Sequence, residues 1–155
     1  SLDQGDEKKP QKQEPNFTEI DTLDLESYKN ANYHIYDKPP FILKIDNKGV
    51  ELEKLFEKFN VKQAAIITAF NPMSVETDIS INKQKNNELK SDLIAENFSY
   101  FAAEGVCPNN KWPGEESYLI LGITLASAKN LGNKFNQNAI VWIDSAYTPQ
   151  LILLK

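Results

Sequence analysis

The order of apolar and polar positions divides the chain into an unpatterned stretch and a patterned remainder. Residues 1–20, SLDQGDEKKPQKQEPNFTEI, hold almost no apolar side chains. A segment that can bury so little surface does not offset its own ordering entropy, so it is expected to form a disordered polar tail or tether. Structural patterning is clear from Tyr28. YHIYD and FILKID read as two short strands separated by Pro39-Pro40, a pair that cannot sit inside a central ladder. In KGVELEKLFEKFN, Leu52, Leu55, Phe56 and Phe59 recur at helical spacing, which predicts an amphipathic helix. QAAIITAF is apolar at consecutive positions and reads as a strand buried on both faces.

A second helix is expected from about Thr77 to Asn97, with the stripe Ile79, Asn82, Asn86, Leu89 and Leu93 turned inward. Two asparagines then occupy the middle of an apolar face, and each buried amide without a partner would cost about 1–3 kcal/mol. FSYFAAEGVCP and SYLILGIT read as strands flanking the turn-rich NNKWPGEE. LASAKNLGNKF is a third helix, with Thr124 placed to cap it. NAIVWID and PQLILLK complete the chain as strands. The order β-β-α-β-α-β-β-α-β-β predicts a single α+β domain over residues 21–155, a mixed β-sheet with about three packed helices. No apolar run approaches the roughly 18 residues needed to cross a bilayer.

Composition narrows the chemistry. The formal net charge is -5, and the 17 basic residues are all lysine. Without arginine the chain lacks the rigid fork that reads guanine and grips phosphate, and with its acidic balance this argues against a nucleic-acid surface. There is one cysteine, Cys107, and one histidine, His34. No internal disulfide can form, and a structural zinc site needs four such ligands. An oxygen-ligand site for magnesium or calcium stays open, but no acidic spacing resembles a calcium loop, and the expectation is no metal and no cofactor. A cytoplasmic placement is favoured. An exported or lipid-tethered chain stays open, because a polar tail of this kind also follows cleaved leaders and lipid-bearing cysteines.

Three polar stretches are candidates for a site. NPMS, residues 71–74, ends the most apolar strand abruptly. In an open α/β sheet, ligands collect beyond such strand ends, and a helix start offers free N–H groups. Asn71, Ser74 and Asn82 therefore either line a polar pocket or serve locally as turn bond, helix cap and helix-to-loop tie. In WPGEES, Trp112 is a loop anchor or a binding platform. Glu115 or Glu116 either contacts a ligand, acts as a general base if burial raises its pKa, or simply caps or pairs with lysine. In NQNA, Asn136 suits a left-handed helix C-cap, while Gln137 and Asn138 either join the pocket or satisfy backbone groups. Catalysis by Cys107 or a serine would need His34 in contact, which nothing in the spacing indicates.

Several separated motifs, YKNANYHI, IITAFNPMS with Asn82 following, KWPGEESYLILGI, FNQNAIVW and PQLILL, occur in an order that resembles bacterial proteins carrying the domain of unknown function 3293. The resemblance runs from about Tyr28 to the C-terminus. It implies candidate positions rather than an activity: Tyr28, Tyr33, Asn71, Pro72, Ser74, Asn82, Trp112, Pro113, Glu115, Ser117, Gly122, Gln137 and Asn138. Where the family pattern leads one to expect arginine, this chain has Lys29, Asn32 and Gln84-Lys85, which puts any anion-gripping role of those positions in doubt.

Two readings of function follow. The leading one is a binding or interaction module whose polar cluster, Asn71, Ser74, Asn82, Trp112, Glu115 and Gln137, recognises an unidentified protein or small polar ligand. The alternative is an enzyme acting on a small polar substrate, with Glu115 as general acid or base.

Overall fold

The computed structural model describes residues 22–108 and 113–155. The expected tail over residues 1–20 lies outside these. A helix, α1 (Thr22–Asn30), leads into strand β1 (Asn32–Ile35). Then come β2 (Phe41–Leu43), α2 (Val50–Phe59), β3 (Ala64–Ile67), a 3-10 turn (Pro72–Ser74) and α3 (Ile79–Ala95). The chain closes with β4 (Ser99–Val106), β5 (Glu115–Leu121), α4 (Leu125–Lys134), β6 (Ala139–Ile143) and β7 (Pro149–Leu153). From β1 onward this is the expected order of strands and helices. Helix α1 is additional. In TLDLESYKN the apolar residues Leu23, Leu25 and Tyr28 do not follow a helical stripe, so periodicity does not disclose it.

The seven strands form one sheet in the order β2-β1-β4-β5-β3-β6-β7. Every pairing is antiparallel, which corrects the expectation of a mixed sheet. The cause of the difference is visible in β3. All four of its residues are buried because helices cover both faces of the sheet, a condition that parallel sheets usually impose but do not own. Leu52, Leu55 and Phe56 of α2 pack with Ala64, Ile66, Leu119 and Leu121 on one face. On the other, Leu89 and Leu93 of α3 and Ala128 of α4 pack with Ala65, Ile67 and Ile120. The alternation of β3 between the two cores is the period-2 geometry of a strand.

The sheet curls. Asp46 and Gly49, just past the β2 edge, donate backbone N–H bonds to Pro149 O and Tyr147 O at the β7 edge, each at 2.8 Å. This ties the two ends of the sheet together around α2 and protects part of both edges. Helix ends follow familiar chemistry. Asp78 caps α3 by accepting from Ser80 N, Thr124 caps α4 by accepting from Ser127 N, and Asn60 closes α2 in the left-handed conformation. Ile79, expected in the α3 core stripe, lies at the first helical turn and is exposed, whereas Asn82, Asn86, Leu89 and Leu93 are buried as expected.

Candidate functional site

Strand β3 ends at Ile67, and the chain then leaves the sheet through Thr68 to Phe70. The backbone turns sharply because Asn71, Met73 and Ser74 all take left-handed conformations, with φ of 47°, 60° and 59°. Asparagine visits this region readily, but Met73 and Ser74 hold such angles only where neighbours over-determine them. Here the neighbours are polar. Asn82 Oδ1 accepts from Asn71 N at 2.8 Å, and Asn82 Nδ2 donates to Asn71 Oδ1 at 2.9 Å and to Thr77 O at 3.1 Å. Asn71 Oδ1 also accepts from Thr77 N, Asn86 Oδ1 accepts from Ala69 N, and Met73 N donates to Asn136 O. The two asparagines in the apolar face of α3 are thus bonded to the loop, which is why a buried position tolerates them.

One bond leads out of this network. Asn71 Nδ2 donates to Glu115 Oε2 at 2.7 Å, across 44 positions of sequence. Glu115 opens β5 and stands opposite Gly105 of β4, which in turn stands opposite Tyr33 of β1. The missing side chain at Gly105 leaves space for the Tyr33 ring, since a Cβ there would sit 3.3 Å from Tyr33 Cε1. A cleft of about 50 Å³ lies over this row on the α2 side of the sheet, lined by Tyr28, Tyr33, Thr68, Glu115, Ser117 and Gln137 with an apolar floor of Ile66, Val141 and Leu151.

The electrostatics of the cleft are one-sided. Burial pushes the Glu115 carboxyl above its ordinary value, opposed by the bond from Asn71. Burial also pushes the Tyr33 hydroxyl up, helped by the charge of Glu115, and does the same to the Cys107 thiol. Among the described residues, no lysine lines the cleft. Cys107 Sγ donates to Ser27 O at 3.8 Å, and a thiol held protonated in this way is a poor nucleophile. His34 is adjacent to Tyr33 on β1 and therefore projects from the opposite face of the sheet. The Cys-His route is closed. Among the described residues, no three His, Cys, Asp or Glu side chains cluster as metal ligands.

The structure brings some sequence candidates together and separates others. Asn71, Asn82 and Glu115 form one connected unit. Ser74 does not cap α3; its hydroxyl is bonded to the Tyr28 hydroxyl and accepts from Asn138 Nδ2. Gln137 contributes to the cleft wall, but its amide donates to Phe70 O and Phe135 O. Asn136 sits just beyond α4 with φ 57°, as a helix-ending asparagine should. Glu116 faces away from the cleft and pairs with Lys83 at 3.0 Å on the exposed surface. Trp112 lies outside the described residues.

Thr68 carried no sequence signal: its hydroxyl, which accepts from Phe70 N and donates to Glu116 O, gains its place only through the β3–β5 pairing. Motif position alone pointed to Tyr28, Tyr33 and Ser117. Ser117 is the notable one, because its buried hydroxyl has no hydrogen-bond partner and lines the cleft. A larger concavity of about 340 Å³ between the ends of α3 and α4 offers less chemistry, since its charged groups sit at the surface and Lys134 and Asp92 already pair at 2.6 Å.

Residues 67–140 match the model of a family described as protein of unknown function (DUF3293), the family the motifs resemble. The match contains Asn71, Asn82, Glu115, Ser117 and Gln137 but neither Tyr28 nor Tyr33. No curated protein and no solved structure matches the chain.

Proposed function

We propose, starting from the match of residues 67–140 to a family with no assigned activity, that the chain is a small-ligand binding module whose site is the Glu115 cleft. The observation that carries this reading is a part-buried carboxyl held by one bond from Asn71 and turned toward a cleft that also holds an unsatisfied Ser117 hydroxyl. Folding rarely leaves a buried polar group without a partner, and such a group beside a space of the right size is a ready place for a ligand atom. At about 50 Å³ the cleft admits a head group of a few heavy atoms rather than a whole drug-sized molecule. The Asn71–Asn82 unit then serves to position Glu115, not to contact the ligand.

A fragment screen by protein-observed NMR on the full chain tests this. Binding should shift the amides of Tyr33, Gly105, Glu115 and Ser117 together. Hits confined to the α3–α4 groove, or none, would remove the proposal. A second reading, general acid–base catalysis by Glu115, is favoured by its raised pKa. It predicts turnover of a bound ligand that Glu115→Gln abolishes while binding persists.

A further inference from the structure

We infer that the head group accepted by this cleft is a primary ammonium. The inference rests on the proposal that the cleft is a ligand site and adds the charge of its occupant. The polar side chains around the space are the Glu115 carboxyl, the hydroxyls of Tyr28, Tyr33, Thr68 and Ser117, and the Gln137 amide, whose N–H groups already donate to Phe70 O and Phe135 O. An ammonium has three donors and no acceptor, so it calls for a ring of acceptors with one negative charge. Carboxylate and hydroxyl oxygens provide that ring. An anionic ligand would have to enter beside Glu115 with no lysine among the described lining residues and no arginine anywhere in the chain.

Three further features agree. Ser117 Oγ lies beneath the cleft wall without a protein partner, so a donor that reaches it displaces no existing protein bond. Glu115 uses one oxygen, Oε2, for Asn71, which leaves its other oxygen for the ligand. The aromatic rings of Tyr28 and Tyr33 line the same space, and aromatic faces attract cations. A bound calcium or magnesium ion is a poorer fit, since the described residues place only one carboxylate in the cleft and these ions take six or more oxygen ligands.

The test is a set of NMR titrations of the full chain with three matched probes: n-butylammonium, n-butanol and butyrate. The expected result is that n-butylammonium shifts the amides of Gly105, Glu115 and Ser117 and binds at least about tenfold more tightly than n-butanol, with butyrate weakest. Glu115→Gln keeps an acceptor for Asn71 and should fold normally, yet it should erase the preference for the amine. If n-butanol or butyrate binds the cleft as well as the amine does, the ammonium assignment is overturned while the cleft remains a ligand site. If none of the three shifts those amides, both are overturned.

Discussion

Asn71 and Asn82 hold each other through two hydrogen bonds, one from the Asn71 backbone N–H to Asn82 Oδ1 and one from Asn82 Nδ2 to Asn71 Oδ1, at 2.8 and 2.9 Å. Both residues are buried, and the pair fixes the left-handed turn at the end of β3 against α3. The turn in turn aims Asn71 Nδ2 at Glu115. Stability of the loop and placement of the carboxyl are therefore one property.

Removing the lock should cost more than an average surface change. Asn82→Ala strands the Asn71 backbone N–H in a buried site and is expected to lower stability by about 2–3 kcal/mol in urea denaturation. Asn71→Gly keeps the left-handed backbone at ease while deleting the side-chain bonds. The two substitutions together should destabilise by clearly less than the sum of the singles, because they remove one shared interaction. Additive losses would mean that the two amides do not act as a unit.

Gly132 of α4 gives a second, independent prediction. Alanine is ordinarily better than glycine inside a helix by about 1 kcal/mol. Here a Cβ would fall 2.6 Å from Leu154 Cδ1 and 2.8 Å from Ile140 Cγ2, so Leu154 would have to swing aside and the contact with the branched Ile140 would have to open. Overpacking of this kind costs about 1–3 kcal/mol and should outweigh the propensity gain. Gly132→Ala is expected to lower the urea midpoint, and a raised midpoint would show that the helix sits less tightly than the geometry states.

Ser117→Ala should move stability the other way. Deleting a buried hydroxyl that has no partner is expected to leave stability unchanged or raise it by about 1 kcal/mol, measured by thermal or urea unfolding. The same variant should weaken ligand binding in the cleft. A loss of 2 kcal/mol or so would indicate that the hydroxyl does hold the fold.

The Glu115 carboxyl predicts a pH dependence with a definite sign. Burial raises its folded-state pKa above the ordinary 4.5. Between those two values the folded chain holds more protons than the unfolded one, so this group's contribution makes stability fall as pH rises through the window and levels off above it. Tyr33 and Cys107, which also face it, are both pushed up by burial and stay neutral there, so they do not blur the effect. Urea midpoints of the wild type and Glu115→Gln, measured from about pH 4 to about pH 7, should diverge in favour of the variant as pH increases. A difference that is flat across the range would refute the raised carboxyl.

Much of this protein is legible in its sequence. Local periodicity places β1 to β7 and helices α2 to α4, since the spacing of apolar residues depends only on the pitch of each element. The cap at Thr124 and the left-handed Asn136 are likewise local, and the burial of Asn82 and Asn86 follows from the stripe they share with Leu89 and Leu93. What periodicity could not decide was strand direction, because covering both faces of an antiparallel sheet yields the same apolar runs as a parallel one. Nor could it decide the site. Asn71 and Glu115 are 44 residues apart, Tyr28 reaches Ser74 over 46, and the Tyr33–Gly105–Glu115 row exists only through the register of three strands. Sequence alone named Asn82 and Asn86 as buried amides that require partners, and offered Asn71 and Glu115 as candidate site residues with local structural roles as the alternative. Which partners they take, and that Glu115 faces a cleft while Glu116 meets Lys83 at the surface, follows from pairing across the sheet. A strand turns successive side chains to opposite faces, and only register decides what each face meets.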